Sequence, residues 1–450
     1  MTGNLSFAAE TDVAIVGAGA AGIAAARRIA AAGRRAIVLE ASGRIGGRCI
    51  TDMSLFGMPC DLGAHWLHEP DSNPVARLAP GSGFEIYPAP PGQKMRIGRR
   101  NAREGELEQY LATLMRARRA IEDAARGKSD MSLAQALPKD LGEWGPSVDF
   151  YLGPFECGKD PAVMSAVDFV RSNERNIDAY CRQGYGALLS HLANGVTVQL
   201  ATPVTKIDTQ PRGAVSLETG KGSLRARAVI VTASTNALLD GQLEFAPGVP
   251  KRMLDALDRL RLGHYERIIM NMPGNPLELS RDDLVFEKAD DRRTAMLLGN
   301  AGGSPLAYVD VGGSFARDLA ARGPREMTAF AVEWVEKLFG GDVAKAVARS
   351  HATQWSATPH ILGSFSAASV GGHPSRRILM EPLLDRVYYA GEAAHETMWG
   401  TVGGAWESGE RAADAVLKIV AAPAPATIAP AQKRRAPQRQ PQQRRPIRSR

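Results

Sequence analysis

Residues Asp12–Glu40 read DVAIVGAGAAGIAAARRIAAAGRRAIVLE. Two short apolar runs, Val13–Val16 and Ala36–Leu39, enclose an alanine-rich stretch that ends at Gly33. Uninterrupted apolar runs of this length suit parallel strands covered on both faces, and the stretch between them reads as a helix capped by Gly33. At the junction of the first strand and the helix stands Gly17-Ala-Gly19-Ala-Ala-Gly22. A GxGxxG triplet alone is a weak signal; between a strand and a helix it is a dinucleotide fingerprint. Gly17 permits the tight turn, Gly19 lets a pyrophosphate approach the backbone, and Gly22 lets the helix pack close to the sheet. The helix N-terminus offers unpaired N–H groups and a partial positive charge to the phosphates. Glu40 closes the second strand 18 residues after Gly22. Its carboxylate suits both ribose hydroxyls and would repel a 2′-phosphate, which argues against NADP.

The rest of the chain alternates between this kind of segment and another. Residues 81–194 begin with a helical pattern: Leu107, Tyr110, Leu111, Leu114, Met115 and Ile121 recur at near-helical spacing within 106–126. Residues 196–232 turn strand-like, through VTVQL, VTKID, AVSLE and RAVIVTAS, and RIIMNM adds a strand within 262–272. A helix is expected over 326–339, and from residue 386 the pattern returns to strand, glycine turn and helix. Dinucleotide-type pieces at 1–80, 195–245 and 351–420 are thus interrupted by insertions at 81–194 and 246–350.

Composition bounds the function. A chain of 450 residues suits two or three domains. The net charge of +7 is local, because residues 431–450 carry one Lys, seven Arg and no acid, and the remainder holds 47 basic against 48 acidic residues. A neutral body disfavours a dedicated nucleic-acid-binding domain. From Pro423 the sequence holds six Pro, five Gln and no aromatic residue, so 421–450 is expected to be a disordered basic tail able to touch anionic surfaces. Cys49, Cys60, Cys157 and Cys181 form no CxxC pair; no metal site is read from them, and a reducing, cytoplasmic setting is expected. The longest uncharged apolar run, Val13–Ala26, is too short to span a membrane, and the first 12 residues lack the features of a secretory signal.

The residues after Glu40 carry a resemblance. Glu40-Ala-Ser-Gly-Arg-Ile-Gly-Gly-Arg48 resembles the extension that follows the first dinucleotide unit in flavin-dependent amine oxidases. Asp61-Leu-Gly-Ala-His-Trp-Leu-His68 with Asn73-Pro74 resembles the segment those enzymes run along the isoalloxazine, in the form seen in their polyamine oxidase branch. Trp355, Pro359, Gly363, Ser364 and Phe365 fit a third family segment, and Tyr389-Ala-Gly-Glu-Ala393 through Thr401-Val-Gly-Gly-Ala405 and Ser408-Gly409 resembles the C-terminal flavin signature. The likeness spans about residues 10–420.

The resemblance implies an α/β fold: a Rossmann-like FAD-binding domain with a discontinuous second domain of mixed sheet plus helices. It implies FAD, contacted by Arg48 at the diphosphate, Gly63 and Ala64 at the flat ring, Val204 at the adenine and Glu392 near the ribityl chain. Thr401 and Val402 start the helix whose N-terminus faces the flavin. Monoamine oxidases attach their flavin to a Cys where this chain has Ser364, so a noncovalent cofactor is implied. Ser42 stands where the family often has an Arg. Phe365 matches one wall of an aromatic cage whose other wall, a Tyr in monoamine oxidases, corresponds to Thr401. The family lysine near flavin N5 corresponds to Arg267, and His68 lies where polyamine oxidases face the substrate amine. Arg267, His68, Phe365 and Thr401 are therefore the expected catalytic residues, with Trp399 the tryptophan most expected at the pocket and His65 expected to be structural or on the surface.

The implied activity is oxidation of primary or secondary amines, polyamines included, by hydride transfer from the amine α-carbon to flavin N5, with imine hydrolysis and O2 as acceptor yielding peroxide. An L-amino-acid oxidase is the alternative if Arg267 binds a substrate carboxylate, because a guanidinium stays charged and cannot serve as a base. A flavin-binding interaction protein without turnover is the alternative from another class.

Overall fold

The computed structural model describes residues 10–172, 177–211 and 213–421; the expected disorder of the basic tail falls outside the described residues, at 422–450. Val13, Ala14 and Ile15 are fully buried, as a strand covered on both faces requires. Their strand, Glu10–Val16, lies at the centre of a nine-stranded sheet. Parallel neighbours on one side are Ala36–Leu39 and then Val198–Gln199. On the other side runs Gly222–Val231, the longest strand of the sheet. Its end, Val229–Val231, pairs in parallel with Val387–Tyr389, and its beginning pairs antiparallel with Val215–Thr219. Val204–Asp208 and Glu244–Ala246 complete that wing.

Alternation along the central strand sends its side chains into two cores. Val13 and Ile15 pack under helices Ala20–Ala31 and Val402–Ala421, against Ala25, Ile29, Ala412 and Val416. Ala14 and Val16 face the opposite layer with Val229, Val231, Met253, Leu257 and Leu379. Helix Lys251–Arg259, which falls within the 246–350 insertion, therefore shares a core with the first sheet through Met253, Ala256 and Leu257.

A second sheet of seven strands is built mainly from the insertions: Arg349–Ala352, Tyr265–Asn271, Leu306–Gly312, Met296–Gly299, Asp283–Glu287, Lys94–Ile97 and Arg100–Asn101, in that spatial order. One face presents Ile268, Met270, Val309 and Val311 to Met327, Phe330, Trp334 and Leu338 of helix Pro324–Phe339. The other face carries Ile269, Leu298 and Tyr308 and shares a core with Tyr110, Leu114 and Ile121 of helix Glu104–Ala125. The helical spacing read between 106 and 126 is real, but Leu111 and Met115 point outward, 42% and 55% exposed. A small sheet of Leu67–His68, Asp178–Cys181 and Ile86–Pro88 lies next to this face.

These strand pairings set the site before any side chain is placed. Antiparallel register puts Arg267 directly opposite Asp310, and Ile269 opposite Tyr308. In the small sheet His68 faces Asp178 and Tyr87 faces Tyr180. Direct opposition brings Cβ atoms to about 4.5–5.5 Å, within reach of ion pairing and ring contact.

Candidate functional site

The glycine turn is tight at two positions and open at the third. Gly17 has φ +105°, and a Cβ there would stand 2.4 Å from the Thr232 hydroxyl. A Cβ on Gly22 would stand 2.0 Å from the carbonyl oxygen of Gly17, so the helix cannot approach the turn with any larger residue. A Cβ on Gly19, the N-cap of helix Ala20–Ala31, would meet nothing within 4 Å. Two glycines thus serve the protein's own packing, while the third faces open space where the first-turn N–H groups are unpaired.

Glu40 ends the second strand and reaches back to the turn. Its carboxylate accepts from the Ala18 N–H at 2.7 Å, the Ser42 N–H at 2.8 Å and the Ser42 hydroxyl at 2.7 Å. Three of about four acceptor positions are engaged, leaving about one for a ribose hydroxyl. Ser42 thus organises the Glu40 carboxylate itself.

The segment after Arg48 is clamped carbonyl by carbonyl. Arg267 Nη1 donates to the carbonyls of Asp61 at 2.9 Å and Gly63 at 3.1 Å, and Trp355 Nε1 donates to that of Leu62 at 3.0 Å. Ala64 N–H donates to the Arg48 carbonyl at 3.0 Å. Gly63 is tight against this frame: a Cβ would lie 2.0 Å from the Arg48 carbonyl oxygen. Glu266, fully buried on the strand of Arg267, holds the loop of Trp355 by accepting from the Trp355 N–H, the Ser356 N–H and the Thr353 hydroxyl.

Arg267 is 4% exposed. Its Nε and Nη2 each donate to one oxygen of Asp310 at 2.8 Å, and its guanidinium lies 4.7 Å from the centre of the Tyr308 ring. Burial pulls the Arg267 pKa down, but Asp310 outweighs it and holds it above its ordinary value. Asp310 also accepts from the Tyr265 hydroxyl at 3.1 Å, and Tyr265 touches Phe365 at 5.8 Å between ring centres. Phe365 also pairs through its backbone with Gly263 at 2.8 Å.

Arg48 crosses to the C-terminal signature. Its Nη1 donates to the Ser364 carbonyl at 2.6 Å and to Glu392 at 2.9 Å. Glu392 also accepts from the Ser366 hydroxyl at 2.7 Å and the Gly400 N–H at 2.9 Å. Burial pushes its pKa up; Arg48, Ser366 and Arg376 together overcome this and hold it below the ordinary carboxylate range. The Ser364 hydroxyl is buried without a protein partner.

Thr401 and Val402 stand at the start of helix Val402–Ala421. The Thr401 hydroxyl accepts from the Gly404 N–H at 2.9 Å and donates to the Met398 carbonyl at 2.7 Å, which is an N-cap. Val204 is buried at the start of the strand Val204–Asp208. Trp399 is buried with Arg376 over its ring at 4.6 Å. His68 bonds Asp178 through Nδ1 at 2.6 Å and keeps a quarter of its side chain exposed. Asn73 explains the Asn-Pro pair: its side chain caps helix Pro74–Leu78 and its amide donates to the His68 carbonyl at 3.2 Å.

His65 is buried, not on the surface. Its Nδ1 lies 2.8 Å from Asp61, and its ring stacks on Tyr180 with centres 4.7 Å apart. Asp310, Tyr308 and Tyr180 were not read as site residues from sequence, and neither was the buried cluster in which Arg376 pairs with Asp168 at 2.6 and 2.7 Å. No spacing rule joins residues 43 or 208 positions apart.

The open space at Gly19, the engaged Glu40, the Arg48–Glu392 pair and the buried Ser364 hydroxyl fit an extended dinucleotide whose ring lies on the clamped loop. A sequence profile of the family described as flavin containing amine oxidoreductase matches residues 20–417. Polyamine oxidase 4 of Oryza sativa subsp. japonica is 26% identical over 92% of this chain and 90% of its own. Lysine-specific histone demethylase 1 homolog 1 of the same plant is 25% identical over 90% of this chain, which spans 52% of that longer protein. Cyclohexylamine oxidase from Brevibacterium oxydans IH-35A has the same fold at TM-score 0.75, with 21% identity, 91% of this chain and 99% of its own covered. Putrescine oxidase superposes at TM-score 0.76 with 17% identity. The chain belongs to the flavin-containing amine oxidoreductases, enzymes whose cofactor is FAD.

Proposed function

We propose that this enzyme oxidises small primary or secondary amines, polyamines among them, and passes the electrons to O2 with release of peroxide. The observation that carries the reading is the clamp on Asp61, Leu62 and Gly63, whose carbonyls are held by Arg267 and Trp355. A loop fixed at three successive carbonyls, with no room for a Cβ at Gly63, offers a flat, unyielding backbone to a planar ring.

FAD, when bound, supplies the two-electron acceptor at N5. The protein binds, orients and dries the substrate. Aromatic side chains gather beside the loop: His65 meets Tyr308 at 5.5 Å, and Tyr180 touches Trp66 at 5.2 Å, between ring centres. Such surroundings disfavour an ammonium and favour the neutral amine that can release hydride. Arg267 is a positioning residue here: four of the five N–H donors of its fork are spent, two on Asp310 and two on the loop. That leaves no free fork for a substrate carboxylate, so the amino-acid oxidase alternative loses the feature that favoured it. The four cysteines form no disulfide, which suits a reducing compartment such as the cytoplasm. Among the described residues no helix is long and apolar enough to cross a membrane.

The test is anaerobic mixing of the purified yellow protein with a panel of amines and L-amino acids, followed by an air pulse and peroxide assay. Bleaching by amines such as putrescine or cyclohexylamine, with peroxide after air, is the expected result. Bleaching by amino acids alone would favour the alternative oxidase, and no bleaching by any member would leave a flavin-binding protein without turnover.

A further inference from the structure

His65 carries the strongest unexplained chemistry in the molecule. Its Nδ1 is fixed on Asp61 at 2.8 Å, and Asp61 is itself locked by the Thr51 hydroxyl at 2.5 Å and the Tyr185 N–H at 3.2 Å. The side chain is more than nine-tenths buried, and its Nε2 has no protein partner. An ionised carboxylate at Nδ1 selects the tautomer with the proton on Nδ1, which leaves the Nε2 lone pair free to accept. The ring lies between Tyr180, stacked at 4.7 Å, and Tyr308, edge-on at 5.5 Å, with Trp66 at 6.1 Å. Asp61, whose own carbonyl Arg267 holds, ties this ring cluster to the clamped loop.

We propose that His65, with Asp61 behind it, is the proton acceptor that converts a bound ammonium substrate to the reactive free amine. This rests on the amine-oxidising reading above. The step is a simple transfer: one N–H bond of the ammonium breaks, its electron pair stays on the substrate nitrogen, and the proton bonds Nε2. The imidazolium charge then falls beside the Asp61 carboxylate.

The neighbours leave no competitor. The titratable groups in contact with His65 are Asp61, Tyr180 and Tyr308; Arg267 lies over the Tyr308 ring, with Asp310 as its partner, and Cys60 is bonded to Tyr308. Burial pushes the Cys60 thiol up to about 12 and drives both tyrosines well above their ordinary value. Arg267 and Asp310 are committed to one another. The second histidine dyad, His68 with Asp178, keeps a quarter of each side chain in solvent and so lacks the dry setting.

The test uses the flavin-loaded full chain, wild type and with His65→Gln, His65→Asn and His68→Gln. Flavin reduction by the amine that best bleaches the wild type is followed anaerobically from pH 6 to 10. Both His65 variants should reduce about 10²-fold more slowly or worse, with the acid limb of the profile moved up towards the solution pKa of the amine. His68→Gln should leave that limb in place. In parallel, tert-butylamine, which has no α-hydrogen to lose, is titrated into wild type labelled with 15N-histidine. The Nε2 resonance of His65, assigned by its loss in either variant, should move from the unprotonated to the protonated position. An Nε2 that stays unprotonated, or a variant that reduces within threefold of wild type with an unmoved limb, overturns the proposal while leaving amine oxidation intact. A wild type that no amine reduces overturns both.

Discussion

Arg48 and Glu392 stand 344 positions apart in the chain and meet at 2.9 Å. The pair joins the extension after the glycine turn to the C-terminal signature, so each half of the expected flavin site holds the other. Because the Glu392 carboxyl is held below its ordinary range, its ionised form stabilises the fold fully above about pH 4.3 and the contribution is lost as the pH falls through the folded value. Glu392→Gln should flatten the acid limb of the wild-type Tm profile between about pH 5 and 3. It should also weaken FAD retention at neutral pH, read by flavin fluorescence after dilution. Equal acid sensitivity in both proteins would contradict this.

Gly19 and Gly22 separate ligand from fold. Gly22→Ala forces a Cβ into the Gly17 carbonyl and should destabilise the apoprotein by about 3 kcal/mol, at the upper end of overpacking costs. Gly19→Ala meets no protein atom and should leave apoprotein stability within about 0.5 kcal/mol while reducing FAD affinity. Urea denaturation of the stripped protein beside FAD titration reads both.

Arg267 and Asp310 form a buried pair whose members cannot be removed singly. Asp310→Asn should cost about 3–5 kcal/mol by leaving a buried guanidinium uncompensated, whereas Arg267→Met with Asp310→Leu should cost much less. Chemical denaturation of the three variants would show it. A double variant as unstable as the single one would mean that the clamp on the Asp61 and Gly63 carbonyls matters more than the charge.

Lys159 is half-buried, donates to the Ala367 carbonyl at 2.7 Å, and is pushed down to about 8 by desolvation first and then by Arg376. A lysine whose folded pKa is lowered costs stability while it must stay charged, and the cost is relieved as pH rises from about 8 to 10.4. Lys159→Met should therefore raise stability at pH 7, by up to roughly 3 kcal/mol, and abolish the rise of wild-type stability between pH 8 and 10. Urea midpoints at pH 7, 8, 9 and 10 check both.

Ser364 offers no thiol for a covalent bond to the flavin. Acid precipitation should leave the yellow colour in the supernatant and a colourless pellet.

The glycine turn, both central strands and Glu40 were legible because each is a local pattern: Ala36–Leu39 and Val204–Asp208 match the expected runs residue for residue. The run VTVQL yields only Val198–Gln199, because only those residues reach the sheet edge. The partner of Arg267 was illegible. Asp310 is set by antiparallel register between strands 43 residues apart, which composition does not reveal. His65 was left between a structural and a surface place, and only the strand Asp178–Cys181, from more than 100 residues away, shows that it is buried. Thr401 aligned with a cage wall, but a hydroxyl three residues before a helix N–H makes a cap.

The pairing of Val229–Val231 with Val387–Tyr389 has a consequence for biogenesis. During translation the central sheet stays open along one side until residue 389 has left the ribosome, and helix Val402–Ala421 follows later still. A ribosome-stalled fragment ending before residue 387 should therefore emerge colourless and aggregation-prone.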